Sequence, residues 1–266
     1  MVSMQPYLRY VGGKTKIAKK IVAKLPPHKT YVEPMVGGGS VYFAKERSTQ
    51  EIVSDIDKSL MNFYRDLKSG KINRCNLTPN KKRLVRLANK RKSGGSISSC
   101  EYLYLNKISY GGKMGTSIDP GTLTRCKTNP KKCGVVSKNN EKYEERLKKT
   151  KIETGDFKKI IKKHDSKDTV FYIDPPYVMG RGGYYKNEEQ APEEMKKTVD
   201  KIKGKFLLSY NNSKQIRGIF CKKYKCDKIK TNYTLSNLSN DKPVTELLIK
   251  NFTCKLTKGR KVCKKV

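Results

Sequence analysis

Short apolar runs recur along the chain, and most of them are followed by a stretch with helical spacing. Thr30-Tyr31-Val32, Ile52-Val53-Ser54, Val170 to Ile173, Phe206 to Tyr210 and Glu246 to Phe252 are rich in β-branched and aromatic residues and read as strands. Lys151-Ile152-Glu153, leading into Gly155-Asp156, is a further strand signal. Lys14 to Leu25 predicts a leading helix that Pro26-Pro27 ends, and Ser40 to Arg47 a helix between the first two strands. From 59 to 150 the strand pattern lapses. Leu60 to Leu67 and Tyr102 to Ser109 read as helices, and Pro79 to Lys92 is basic and amphipathic. Ser93-Gly94-Gly95-Ser96 and Gly111 to Gly134 are loop-rich, and no internal repeat is present. The pattern predicts an α/β fold with a parallel-type sheet, residues 1–58 and 151–266 forming one domain around a largely helical insertion at 59–150. Ligands of such a sheet sit outside the carboxyl ends of its strands.

Candidate chemistry gathers at those ends. The run Thr169 to Ile173 leads straight into Asp174-Pro175-Pro176-Tyr177. An acid at a strand's carboxyl end followed by two prolines makes a rigid ledge, because each proline fixes φ and removes an amide donor. The ledge offers a carboxylate, a main-chain carbonyl and, at Tyr177, a flat ring. Two acceptors and a stacking face suit a planar heterocycle with an exocyclic amine.

Near the N-terminus, Thr30-Tyr31-Val32-Glu33-Pro34-Met35-Val36 enters the triplet Gly37-Gly38-Gly39, and Ser40 begins the next helix. Glycines at this place allow positive φ and close approach of backbone to a ligand. Ile52 to Asp57 then ends in carboxylates, and an acid at the tip of the second strand of such a unit accepts hydrogen bonds from ribose hydroxyls. The loop lacks the Gly-Lys-Ser/Thr ending of a phosphate-binding loop. A ligand with a ribose and no polyphosphate fits better than a nucleoside triphosphate.

Composition adds a partner. Sixty Lys and Arg against 24 Asp and Glu give a formal charge of +36, which attracts polyanions and makes binding salt-dependent. The lysines are spread along the whole chain, so a general lysine bias contributes as well. The eight cysteines, Cys75, Cys100, Cys126, Cys133, Cys221, Cys226, Cys254 and Cys263, form no Cys-x-x-Cys pair, and no metal site is expected. With no signal-like apolar start and no bilayer-length apolar run, the chain reads as intracellular, acting wherever its target is, with reduced thiols.

Together these motifs resemble the DNA adenine-N6 methyltransferases of the Dam type, the D12 class or alpha group. Pro6-Tyr7-Leu8-Arg9-Tyr10-Val11-Gly12-Gly13-Lys14 is similar to the family's aromatic-x-Gly-Gly-Lys opening. Val32 to Ser40 resembles its methyl-donor loop, with Met35 where phenylalanine is usual, and Thr245-Glu246-Leu247-Leu248-Ile249 its closing strand. The likeness covers nearly the whole chain in order and is weakest between 60 and 150. It implies a Rossmann-like S-adenosylmethionine-dependent sheet whose insertion recognises DNA, and a site-specific enzyme that methylates a flipped-out adenine in duplex DNA. Asp174, Pro175, Pro176 and Tyr177 are then the catalytic ledge. Tyr10, Lys14, Glu33, Met35, Gly37, Gly39, Asp55 and Asp156 are the donor-binding residues, with Asp55 on the ribose, Asp156 on the donor's adenine and Lys14 on its carboxylate. The partners implied are double-stranded DNA and a candidate restriction endonuclease acting on the same site, the chain being monomeric when free.

Candidate DNA contacts are Arg83 and Arg86 in the basic helix, Tyr110 and Lys113 in a stretch that resembles the family's recognition hairpin, and Tyr184 and Tyr185 after the ledge. Gly111 stands where asparagine is common and Gly115 where an arginine often reads a guanine, so the family's GATC target does not carry over. Two other readings stay open. One is methylation of another planar amine, such as cytosine N4 or an RNA adenine, although Asp at the head of the ledge favours adenine over the serine more usual for cytosine. The other is a non-catalytic DNA-binding protein on the same fold, which would be expected to have lost Asp55, Asp174 or the glycine triplet.

Overall fold

The computed structural model describes residues 4–130, 133–134, 136, 140–177, 191–231, 244–257 and 259–266. The apolar runs become strands in one mixed sheet: β1 (Thr30–Glu33), β2 (Gln50–Asp55), β3 (Lys151–Thr154), β4 (Thr169–Ile173), β5 (Lys205–Asn211), β6 (Lys225–Thr231) and β7 (Val244–Lys250). Their order is β3-β2-β1-β4-β5-β7-β6, with β7 antiparallel to both neighbours and the other pairings parallel. This is the Rossmann-like α/β sheet the pattern predicted. Its chain order reverses between β1 and β4, which pair as Thr30 with Thr169 and Val32 with Phe171. A crevice therefore opens outside the carboxyl ends of those two strands.

Helices cover both faces, so central strands are apolar throughout rather than alternating. In β4 all five residues are buried, and successive side chains go to opposite cores. Val170 and Tyr172 join a core with Tyr31, Val53 and Leu207, while Phe171 and Ile173 join a second with Val32, Phe206 and Leu208.

The second core is closed by α8 (Phe157–His164), α9 (Pro192–Val199) and α10 (Lys214–Phe220), through Ile160, Met195 and Phe220 among others. The first core takes in α1 (Ala18–Lys24) and α2 (Ser40–Ala44). It also takes in helices of the 59–150 segment: α3 (Lys58–Lys68), α4 (Lys81–Lys92), α5 (Ser99–Ile108) and α7 (Glu141–Leu147). Leu84, Leu87, Tyr102 and Leu105 belong to this same core, so these helices are packed into the sheet's face instead of enclosing an interior of their own. Caps fix their starts: the Asn80 side chain accepts from Arg83 N, and Ser98 with Glu101 forms a capping box. The remaining helix, α6 (Pro120–Thr128), follows Asp119 as its N-cap.

Two expectations change. The run from Glu246 to Phe252 is not one strand. Asn251 interrupts it, its buried amide accepting from Phe206 N at 2.8 Å and donating to the Gly204 carbonyl at 3.0 Å. Beyond it the chain forms a separate hairpin, β8 (Phe252–Thr257) and β9 (Arg260–Lys265). The thiols are not reduced either. All eight are joined, as Cys75–Cys100, Cys126–Cys133, Cys221–Cys226 and Cys254–Cys263. The expectation came from cellular compartment. The physical reason it fails is proximity: local turns, the terminal hairpin and, for Cys75–Cys100, the packing of the chain before α4 against α5 hold each pair's Cα atoms 4.0 to 5.7 Å apart.

Candidate active site

The crevice at the strand-order reversal receives the glycine loop from β1 and the proline ledge from β4. After Glu33 the chain turns through Met35 and Val36. Val36 N donates to the Ser54 carbonyl at 2.9 Å and Gly39 N to the Val36 carbonyl at 2.7 Å. Gly37 and Gly39 have φ of 47° and 70°, in the left-handed region where other residues are strained. Gly39 caps α2, and a Cβ there would come within 2.9 Å of the Tyr64 hydroxyl and 3.1 Å of the Phe43 ring. A Cβ on Gly37 would meet the Tyr10 ring at 2.8 Å. Bare backbone is thus what lets Tyr10, Tyr64 and Phe43 lie against the loop.

From beneath, two side chains tie the loop down. Asp55, at the tip of β2, accepts from Gly37 N through Oδ2 at 3.1 Å and from Asp57 N through Oδ1 at 3.1 Å. The Tyr64 hydroxyl of α3 donates to the Gly37 carbonyl at 2.9 Å. Burial pushes the Asp55 carboxyl up from its ordinary value, against the opposing pull of those amides. Next door, Asp57 caps α3 and pairs with Arg91 of α4 at 2.9 Å. Asp156 caps α8, accepting from Lys158 N at 2.8 Å and Lys159 N at 3.3 Å. Met35 packs against the second core.

The ledge itself carries a compact ionic cluster. Lys14 Nζ lies 2.9 Å from Asp174 Oδ1, 3.0 Å from the Gly12 carbonyl and 4.5 Å from the centre of the Tyr177 ring. The Tyr177 hydroxyl donates to Glu246 Oε2 of β7 at 2.5 Å and lies 3.4 Å from Asp174 Oδ1. Its ring stacks on Tyr210 of β5, with centroids 5.7 Å apart. Glu33, wholly buried at the end of β1, accepts from the Tyr31 hydroxyl at 2.6 Å. Burial, together with the nearby Asp174, pushes the Glu33 carboxyl up to about 8. Burial also raises Asp174 and Glu246, with Lys14 pulling both back. The chain therefore holds three carboxyl groups and one ammonium, mostly buried, at the carboxyl ends of β1 and β4 and the facing end of β7. Such a set is suited to gripping an amine and an aromatic ring.

These residues, apart from Glu246, fall within a stretch, 10–235, that matches the family model for the D12 class N6 adenine-specific DNA methyltransferase. The chain belongs to this family. It is similar to the type II methyltransferase M.MjaIII of Methanocaldococcus jannaschii, 29% identical over 209 residues, covering 66% of the chain and 70% of the relative. The type II methyltransferase M1.LlaDCHI of Lactococcus lactis is 24% identical over 285 residues, covering 94% and 96%. The DNA adenine methylase of Vibrio cholerae is 24% identical over 276 residues, covering 93% and 96%. As a D12 class enzyme the chain methylates adenine N6 in DNA at specific sites, and S-adenosylmethionine is its methyl donor.

Against that identity, the positions singled out in the sequence sort into three groups. Tyr10, Lys14, Glu33, Gly37, Gly39, Asp55, Asp174 and Tyr177 come together in this D12 class enzyme at the β1–β4 crevice. Lys14, expected on the donor carboxylate, is paired here with Asp174 instead.

The second group is the recognition segment. Asn106 receives Arg9 N at 3.1 Å and donates to the Arg9 carbonyl at 2.6 Å, strapping α5 to the N-terminal segment. Ser109 bridges Ile118, and Tyr110 N donates to the Ser117 carbonyl at 2.8 Å, so Tyr110 begins a hairpin-like turn. Tyr110 is 40% exposed, with Lys113 Nζ 5.8 Å from the ring centre. Gly112 lies against Arg9, where a Cβ would meet Arg9 Cβ at 2.6 Å. This packing sets the turn beside the segment that carries Tyr10 and Lys14. Arg83 stacks on Tyr104 at 4.0 Å and donates to the Asn76 carbonyl at 3.1 Å, whereas Arg86 and Lys82 are exposed. Arg83, Arg86 and Lys82 line one open concavity with Thr78, Pro79 and Asn80.

Tyr184 and Tyr185, the third group, lie outside the described residues. Sequence reasoning did not single out Glu246, Tyr64 or Tyr210. The signal for Glu246 was present, an acid at the start of an apolar strand, and it gains meaning only from the antiparallel pairing of Asn211 with Glu246 that turns it toward the ledge.

Proposed function

We propose that this methyltransferase takes its target adenine out of the duplex into the crevice at the carboxyl ends of β1 and β4, with the ledge as the chemical machinery. A stacked and paired adenine hides its N6 from a buried donor, so extrusion is required. Asp174 Oδ1 and the Pro175 carbonyl each accept one N6 hydrogen, and Tyr177 lies against the base. The lone pair on N6 is delocalised into the ring and is a weak nucleophile. Gripping both hydrogens from out of plane draws that lone pair away from the ring and aims it along one line. Pro175 and Pro176 keep the two acceptors fixed because neither can rotate about φ. S-adenosylmethionine, when bound, supplies an electrophilic methyl on a positively charged sulfur. The glycine backbone of the loop, the Tyr10 ring lying on it and the Asp55 carboxylate at the tip of β2 fit such a ligand: a flat ring, a sugar with two hydroxyls and no phosphate. The proton that N6 sheds passes to Asp174 Oδ1 or to water.

The observation that carries this reading is the meeting of Asp174, Tyr177 and the glycine loop at one switch point of the sheet. Arg86, Lys82 and the Tyr110 turn supply phosphate and groove contacts. The type II names of two relatives support a role beside a restriction endonuclease of the same site. The enzyme then works in the compartment that holds the target DNA, as a monomer when free. Asp174→Ala tests the assignment: methyl transfer should fall by about 100-fold or more, while donor affinity measured calorimetrically without DNA stays near wild type. A mutant that transfers methyl at a rate close to wild type removes Asp174 from the chemistry.

A further inference from the structure

In the DNA-free chain the place of the target amine already holds a cation. Lys14 Nζ makes a 2.9 Å pair with Asp174 Oδ1 and lies 4.5 Å from the Tyr177 ring centre. These are the two contacts assigned above to the adenine: a hydrogen to the carboxylate and a face to the ring. The Lys14 side chain is 3% exposed and that of Asp174 20%, so the pair sits at the inner end of the opening. Lys14 follows Gly12 and Gly13, and a Cβ at Gly12, where φ is 76°, would meet nothing within 4 Å. At Gly13, next to the lysine, a Cβ would come within 2.9 Å of the Tyr10 carbonyl, so the backbone there is closely packed and it is the flexible lysine side chain that can withdraw.

We propose that Lys14 is a positioning residue that stands in for the adenine amine, holding Asp174 in place and then yielding the carboxylate to N6 as the base enters. The proposal rests on the reading of Asp174 as the amine acceptor. Its physical logic is electrostatic. The groups that face Asp174 are Lys14 from the segment before α1, Glu33 from β1, Tyr172 on its own strand, Tyr177 on the ledge, Tyr210 from β5 and Glu246 from β7. Among these, Lys14 is the cation. Burial favours a protonated Asp174, and Lys14 opposes it. A protonated acid would present a donor to the incoming amine where an acceptor is needed. An ammonium that can leave keeps the carboxylate charged until the substrate's own hydrogens replace it.

The test is the pH dependence of kcat/KM for duplex DNA, which reports ionisations of the free enzyme, measured at constant ionic strength for Lys14→Met and Lys14→Arg. Without the cation, the acid limb of the Lys14→Met profile should move up by about one pH unit or more, and Lys14→Arg should return it toward the wild-type position. Donor affinity in the absence of DNA should stay within about two-fold. Lys14→Gln, which keeps much of the length and a donor, serves the same measurement if methionine is not tolerated in so buried a place. An acid limb that does not move overturns the proposal. So does a loss of donor affinity of about tenfold or more, which would make Lys14 a ligand of the donor carboxylate. Asp174→Ala assayed alongside separates the two claims: if that variant keeps its activity, the amine-acceptor reading is what has failed, whatever Lys14 does.

Discussion

At the ledge, Tyr177 has two attachments with different consequences. Its ring is positioned by Tyr210 and its hydroxyl by Glu246. Tyr177→Ala removes a stacking surface and should raise the barrier by about 1–3 kcal/mol. Tyr177→Phe keeps the face but leaves the buried Glu246 without that donor, so it should cost less in rate and more in rigidity of the β5–β7 end. Single-turnover rates for the two variants check this, and a phenylalanine variant slower than the alanine one contradicts it.

Glu33 makes a separate prediction. Its folded value of about 8 exceeds the ordinary 4.5, so between those values the folded chain holds a proton that the unfolded chain releases. The stability associated with that proton is present below about pH 4.5 and is lost as pH rises to about 8. Glu33→Gln cannot ionise and should unfold at higher urea than the wild type, with the advantage growing from about pH 5 to about pH 8. Equal pH slopes for the two proteins would show that Glu33 keeps an ordinary carboxylate.

Among the elements, the glycine loop is where sequence and structure agree for different reasons. The triplet suggested backbone approach to a ligand. The structure adds that the same glycines make room for Tyr10, Tyr64 and Phe43, so the loop is packed by protein on more than one side. Gly37→Ala should therefore weaken donor binding through displacement of Tyr10, and Asp55→Ala should weaken it further by releasing Gly37 N as well. Calorimetry with the donor alone measures both; unchanged affinity in the pair would place the donor elsewhere.

The basic helix α4 divides similarly. Arg83 is engaged with Tyr104 and the Asn76 carbonyl, while Lys82 and Arg86 face solvent. Neutralising Lys82 and Arg86 should weaken binding to every DNA sequence alike and reduce the salt slope by about one for each phosphate left without its cation. Tyr110→Ala should instead lower methylation of the preferred site more than that of near-cognate sites, which single-base-substituted duplexes would reveal. One common factor across the panel would assign Tyr110 to flipping or packing.

The strands of the central sheet and the ledge were legible because their signals are local: runs of apolar residues, a glycine triplet, an acid before two prolines. β6 was not legible, since Lys225-Cys226-Asp227-Lys228 offers no apolar pattern and is held by pairing with β7. Nor was the Lys14–Asp174 pair, whose members are 160 positions apart and meet only because the segment before α1 lies against the end of β4.

For the whole molecule, the charge of +36 and the four disulfides act on different properties. The charge sets affinity for a polyanion and has little to do with fold. The disulfides restrain the unfolded chain, and the largest loop, closed by Cys75–Cys100 across 25 residues, sits in the segment between β2 and β3. Replacing that pair with serines should lower stability by about 3 kcal/mol. Thiol titration of the denatured, unreduced protein should find no reactive cysteine, and eight reactive thiols would contradict the pairing.

The central claim, a D12 class enzyme whose Asp174 ledge grips adenine N6, is tested most directly by product analysis. The purified chain is incubated with methyl-labelled S-adenosylmethionine and unmethylated duplex DNA, and the nucleosides are then separated. The label should appear in N6-methyldeoxyadenosine, in duplex DNA in preference to RNA, and should vanish with Asp174→Ala. Label in N4-methyldeoxycytidine, or in N6-methyldeoxyadenosine undiminished by Asp174→Ala, would contradict the account.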